Sequence, residues 1–257
     1  MWEFTLIYNK EKACYLDFIY SKLESQVKFV NGIIIKQNFA GRARISIAVP
    51  KKQKDYFVLL LLELVSEVIT QDFKYEFLDN NLGLTISNQL TKVAFVKALT
   101  VFDKQTDKDL IKKQLIFETE LNIDSFYYFK LDELRKRWQE ICLLVRDNIG
   151  TLQATDSLGD LLKFLIKTSE INFDEVHVYK KNQNYVITDK LNQPINIISS
   201  INHGHNQECT LEDLIALSPA KIILHDEKNT NEPFFDYIFN LFDDKVSFKF
   251  SNIENIL

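Results

Sequence analysis

The sequence predicts an α+β fold, and three observations carry that prediction. Short apolar runs of strand type flank helical periodicity near both ends of the chain. A long helical stretch occupies the middle. After about Thr168 the period changes from helical to strand-like. The expected architecture is an N-terminal β-α-β-β unit with a buried helix, a central helical region and a small C-terminal mixed α/β unit. A division into residues 1–120 and 121–257 fits that order, with a boundary near Ile171 or one continuous domain as the alternatives, since no Pro/Gly/Ser-rich linker marks a break.

Trp2–Tyr8 is apolar enough for a strand covered on both faces. Glu11–Ser25 reads as a helix with Tyr15, Leu16, Phe18, Ile19 and Leu23 on its apolar side. Val27–Val30 and Ile33–Gln37 flank Asn31-Gly32, the strongest short hairpin signal present. Ala43, Ile45, Ile47 and Val49 alternate with polar or small residues, as in a half-buried strand, up to Pro50. From Lys52 to about Phe73 the pattern is apolar nearly all round, with Glu63, Ser66, Glu67 and Thr70 on one narrow stripe. Such a helix is normally buried, here across the N-terminal sheet. Helices near Asn88–Phe102 and Thr106–Ile116 follow.

Phe126–Asn148 reads as one spine helix. Leu131, Leu134, Trp138, Ile141 and Val145 form its stripe, Cys142, Leu143 and Leu144 widen it, and Gly150 is its expected stop. A helix near Ser157–Thr168 is expected to pack antiparallel to it. Val176–Tyr179 and Tyr185–Thr188 then read as a hairpin, with Ile195–Ile198 as a third strand. Thr210-Leu211-Glu212-Asp213 has the spacing of a capping box opening a short helix. Lys221–His225, Pro233–Leu241 and Val246–Phe250 complete the chain as strand, aromatic helix and strand.

Composition excludes several functions. A net charge of -5 argues against general nucleic-acid binding, because phosphate contacts dominate that affinity. The triplet Arg135, Lys136 and Arg137 is mixed with acidic residues and reads as a solvated face. Six glycines, with neither GxGxxG nor GxxxxGK[ST], argue against nucleotide loops. Three scattered cysteines, the lack of a signal-peptide pattern and the lack of a membrane-length apolar run lead us to expect a cytoplasmic protein with no membrane span.

The ligand-type residues are His203, His205 and Cys209, with His225 one element later. H-x-H followed by Cys offers three tetrahedral donors, so zinc is the cofactor such a cluster would take. Paired C-x₂-C spacings are absent, and the reading with no cofactor is preferred. His177, between Val176 and Val178, reads as a satisfied structural histidine. Phe234, Phe235, Tyr237 and Phe239 crowd one short helix that cannot bury all four on one face, which makes them candidates for an interaction surface.

Three stretches carry a family resemblance. LNIDSFYYFKLDELRKRWQEICLLV contains Phe126, Phe129, Lys130 and Leu131 as an F-x-x-F-[RK]-L lead into a long helix. INFDEVHVYKKNQNYVITDKLNQPI holds Val176-His177-Val178, and LEDLIALSPAKIILH runs through Asp213 to His225. Over roughly Leu121–Phe250 the chain resembles the YtxC-like family of sporulation proteins. The segment before Asp213 is shortened relative to the family pattern, and a Cys-rich C-terminus found in some members is absent. The resemblance implies a cytoplasmic, sporulation-associated protein with no assigned enzymatic activity, and our leading expectation is that it acts through an unidentified protein partner. The alternative is a small-molecule or metal-dependent enzyme with its site around His203–Cys209 and His225.

Overall fold

The computed structural model describes residues 1–9, 13–39, 41–84, 86–154, 157–182, 184–195, 206–225 and 232–249. Along the chain, β1 (Trp2–Asn9) is followed by α1 (Ala13–Phe29), β2 (Ile33–Phe39) and β3 (Arg42–Val49). Next come α2 (Lys54–Val68), α3 (Lys74–Leu82), α4 (Gln89–Val101) and α5 (Lys104–Gln114). The middle holds β4 (Glu120–Asn122), α6 (Ile123–Lys130), α7 (Asp132–Ala154) and α8 (Ser157–Thr168). The last part holds β5 (Phe173–Lys181), β6 (Asn184–Asp189), α9 (Gln207–Leu217), β7 (Pro219–His225), α10 (Pro233–Phe242) and β8 (Val246–Lys249). This is an α+β fold with the expected β-α-β-β start. It divides into two compact units, Met1–Phe77 with Asp103–Ile141, and Leu78–Phe102 with Cys142–Leu257.

The first unit is built on a sheet of order β2-β3-β1-β4, antiparallel except for the short parallel pair β1–β4. Alternation along β1 and β3 sends Phe4, Leu6, Tyr8, Ala43, Ile45, Ile47 and Val49 into one core. β1 is therefore buried on one face only, not on two, because Thr5 and Ile7 between those residues stay half-buried. α1 covers β2 and β3, and α2 packs beside α1 and α5. Phe57, Leu61, Leu64, Val65 and Val68 of α2 join the same apolar cluster as the sheet.

The hairpin signal at Asn31-Gly32 marks a helix end. Leu16, Ile19, Leu23 and Val27 continue one helical stripe, all fully buried, so α1 runs on through Val27. Asn31 takes a left-handed φ of 54°, and the Gly32 amide donates back to the Val27 carbonyl at 2.9 Å. The hairpin itself joins β2 to β3, with Gly41 at φ 75°. Gly32 is held by close approach: a Cβ there would sit 2.8 Å from the Ala48 carbonyl and 2.9 Å from a methyl each of Val27 and Val49. Gly32→Ala is expected to cost about 1–3 kcal/mol, the usual penalty of overpacking, measured as a lowered urea midpoint at unchanged slope.

The polar stripe of α2 is the acceptor side of an ion ladder. Lys104, Lys108 and Lys112 recur every fourth residue on α5 and face Glu63 and Glu67. Lys104 reaches Glu67 at 2.6 Å, Lys108 reaches Glu67 at 2.7 Å and also bonds Glu63, and Lys112 reaches Glu63 at 2.6 Å. A turn of π-helix, Ile69–Phe73, follows α2 and leads into α3. Lys74 then meets Asp107 at 2.7 Å with both side chains buried, and the Trp138 indole donates to the same carboxylate oxygen at 3.1 Å.

The spine is two helices, not one. α6 ends at Lys130, Leu131 leaves helical geometry at φ -106° and ψ 38°, and α7 starts at Asp132. The Arg135 guanidinium donates to the Tyr128 carbonyl at 2.7 Å and the Tyr127 carbonyl at 3.3 Å, satisfying the end of α6. α7 also passes Gly150 and continues to Ala154. Leu131, Leu134 and Trp138 are buried as expected, whereas Leu143 and Leu144 are exposed and widen nothing.

The second unit holds a sheet of order β6-β5-β7-β8. β5 and β6 form the expected antiparallel hairpin, and β5–β7 and β7–β8 are parallel. Val176, Val178, Ile222 and Leu224 are fully buried on one face. α9 packs on α4 and β6, and α10 on α8 and β8; the main neighbours of α8 are α4 and α10 rather than α7. The helix predicted to open at Thr210 opens earlier, because Asn206 is its cap and accepts from the Cys209 amide at 2.8 Å. Thr210 lies inside α9 and bonds back to the Asn206 carbonyl at 2.7 Å. Of the third strand expected at Ile195–Ile198, a bridge joins Pro194 to Thr188, and residues 196–198 lie outside the described residues.

Candidate functional site

The second sheet has one apolar face and one face that carries chemistry. Alternation along β5 places Glu175, His177 and Tyr179 on the same side. The parallel register sets Glu175 beside Lys221, His177 beside Ile223 and Tyr179 beside His225. β6 adds Thr188 opposite His177, and β8 adds Lys249 opposite His225. His177 and His225 are both buried, while Lys221 and Lys249 are exposed.

These side chains form a continuous chain of polar contacts. The Lys221 ammonium lies 3.0 Å from one Glu175 oxygen, and the other lies 3.1 Å from Nε2 of His177. Nδ1 of His177 lies 2.9 Å from Nε2 of His225. The Tyr179 ring stacks on His225 at 4.0 Å, and its hydroxyl donates to Oδ1 of Asn192 at 2.8 Å. The hydrogen bonds from Lys221 and His177 hold the Glu175 carboxyl below its usual range, so it is an ionised acceptor.

That acceptor assigns the tautomers. Glu175 can only accept, so Nε2 of His177 carries hydrogen and Nδ1 of a neutral His177 is a bare lone pair. His225 must then donate from Nε2, which leaves its own Nδ1 as a lone pair at the end of the chain. Burial, His177 and Lys249 together push His225 down to about 4, so it stays neutral across the physiological range.

The sheet also contains two of the three stretches that carried the sequence resemblance. Val176-His177-Val178 is the centre of β5, and Asp213–His225 runs from α9 through β7. The YtxC-like family pattern matches residues 62–247, well over half of the chain. The chain belongs to the YtxC-like family. No curated protein and no solved structure matches it. The match of this YtxC-like protein begins within α2, well before the stretches legible by eye from Leu121 onward.

The structure describes some of the other predicted residues of the YtxC-like chain. His203 and His205 lie outside the described residues. Cys209 is buried in the first turn of α9, where burial and then Glu212, Asp213 and Glu208 push its thiol up to about 11. Among the described residues, no group of three or more His, Cys, Asp or Glu side chains is arranged to hold a metal ion. Phe234 and Phe235 are buried against Tyr185, Tyr237 bonds Thr91 at 3.2 Å, and Phe239 is partly exposed beside Phe248. Only Phe239 of those four therefore presents much ring surface.

The basic triplet of α7 is paired: Arg135 and Lys136 with Asp132, and Arg137 with Asp103. Among the described residues, no helix is long and apolar enough to cross a membrane. Sequence reasoning missed His177 and Glu175 as partners of His225. Their alternate spacing was legible; the register that joins β5 to β7 was not.

Proposed function

We propose that this YtxC-like protein is a cytoplasmic, sporulation-associated protein that works by binding a protein partner. The family resemblance supports the setting. One observation supports the mode of action: the edge strand β2 carries Ile33 and Ile35 at 59% and 46% exposure. They border a shallow groove of about 200 Å³ with Glu3, Thr5, Ser46 and Ala48. Among the described residues β2 pairs only with β3, which leaves its second edge free to receive a strand. The occupant this surface fits is an extended segment of another protein, adding main-chain hydrogen bonds at the edge and alternate apolar side chains in the groove.

A crosslinked pull-down from sporulating and vegetative cells tests this. One stoichiometric partner in sporulating cells, lost with Ile35→Lys in a folded variant, supports the reading. A partner retained by that variant, or none in either state, rejects it.

The second reading is an enzyme: the Glu175–His177–His225 chain favours its small-molecule form, and its zinc-dependent form would draw on His203, His205, Cys209 and His225. Zinc analysis of tag-free protein decides the metal form. One equivalent of zinc, lost on both His205→Ala and His225→Gln, supports it; sub-stoichiometric zinc unchanged by either substitution removes it.

A further inference from the structure

The two histidines meet head-on. Their ring centroids lie 5.1 Å apart with planes 25° from parallel, and the facing nitrogens lie 2.9 Å apart, so the rings meet edge to edge along the N···N line. A tetrahedral metal would need two lone pairs converging on a point off that line. A shared proton needs them collinear, as they are.

We propose that Glu175, His177 and His225 form a proton relay that serves a protic ligand, a hydroxyl group or a water molecule, at Nδ1 of His225. The bond from ligand oxygen to hydrogen breaks, and that proton bonds to Nδ1 of His225. In the same step the Nε2 proton of His225 moves to Nδ1 of His177. The ligand keeps the electron pair as an anion, and His177 becomes an imidazolium with hydrogen on both nitrogens. Glu175 keeps its negative charge and its hydrogen bond, now to a cation. His225 begins and ends neutral with its tautomer inverted.

The surroundings suit this step. Charged or titratable groups facing the pair are Glu175 and Tyr179 from β5, Lys221 from β7 and Lys249 from β8; β6 adds the uncharged Thr188. Glu175 stabilises positive charge on the inner ring, and Lys249 stands beside the outer ring, where the anion forms. A lone His225 in this setting holds a proton poorly. A relay removes that requirement, because the charge comes to rest one ring away. His225 is also the last residue of a parallel strand, the end at which α/β sheets place ligands. The inference is independent of the protein-partner reading.

Imidazole ¹⁵N spectra of the whole chain, titrated from about pH 8 to about pH 5, test the relay with water as the protic probe. The expected neutral state has hydrogen on Nε2 of both rings. On acidification the pair should take one proton at one common midpoint, with His177 becoming doubly protonated as His225 switches to its Nδ1–H tautomer. Glu175→Gln should lower that midpoint by about one pH unit, and His177→Gln should abolish the tautomer change. An Nδ1–H tautomer of His225 at neutral pH overturns the relay. So does a His225 that keeps its tautomer while His177 titrates, or that itself becomes doubly protonated. The wild-type titration decides the matter even if a variant fails to fold.

Discussion

Asp107→Ala is expected to destabilise the protein by about 3–5 kcal/mol, the cost of breaking a buried ion pair from one side. Lys74 and Asp107 are 0% and 2% exposed, and their 2.7 Å contact sits inside the first unit. Removing the carboxylate takes from Lys74 the largest influence that opposes its desolvation, and it takes from the Trp138 indole its acceptor at 3.1 Å. Burial already lowers the Lys74 ammonium below its ordinary range, with Asp107 the largest opposing influence. Without Asp107 the folded-state value falls further. The unfolded chain then binds more protons than the native one over the range between the two values, so the stability of the variant must rise as pH rises through that range. Urea unfolding at pH 7 and at about pH 9.5 checks both statements: a large loss at the lower pH, partly recovered at the higher. A loss under about 1 kcal/mol, flat with pH, would show that the ammonium is held by other groups. Replacing both partners together, Lys74→Met with Asp107→Leu, is expected to be far milder, since no charge is left buried.

That buried pair was not legible in the sequence, and the reason is general to this chain. Lys74 and Asp107 lie 33 residues apart, and each looks like an ordinary surface residue of its own helix. The stripe Glu63, Ser66, Glu67 and Thr70 was visible as a stripe. Its role as acceptor for Lys104 and Lys108 depends on how α2 and α5 pack, which local periodicity does not state. Features set by near neighbours were read correctly: the alternation of β3, the β5–β6 hairpin and the helix of Gln89–Val101. Where local reading failed, two structures share one signal. Asn-Gly suits a tight hairpin and a left-handed helix terminus equally, and the buried stripe ending in Val27 chose the second. The break at Leu131 has neither Gly nor Pro to announce it; Arg135, four residues on, makes it by capping the carbonyls of α6.

The candidate site divides along the same line. His225 at the end of a strand and the alternation Glu175, His177, Tyr179 were both in the pattern. Their meeting depends on a parallel register across 48 residues, so His177 read alone was a structural histidine. The aromatic helix is a second case in which packing decides what periodicity leaves open. In the sequence, Phe234, Phe235, Tyr237 and Phe239 read as too many for one face; α10 is covered by Tyr185 of the sheet as well as by α8, so Phe234 and Phe235 are buried and Phe239 is not. Phe239 stays exposed on the same helix, and Ile33 and Ile35 are exposed on the edge strand β2.

Trp138→Ala should be as damaging as loss of Asp107, about 3–5 kcal/mol, and for a different mixture of reasons. Trp138 is fully buried, with Phe77 and Tyr127 centred 5.7 and 6.1 Å from its ring, so truncation opens a cavity that those rings can only partly fill. Trp138→Phe separates the two contributions. It keeps most of the ring volume and removes the indole donor, and about 1–3 kcal/mol of loss is expected from the unmet carboxylate and the smaller ring. Combined with Asp107→Ala, the two losses should fall short of their sum by about 0.5–3 kcal/mol, because one hydrogen bond is removed only once. Strict additivity would mean that Lys74 alone satisfies Asp107, and that Trp138 stabilises the first unit purely by filling space.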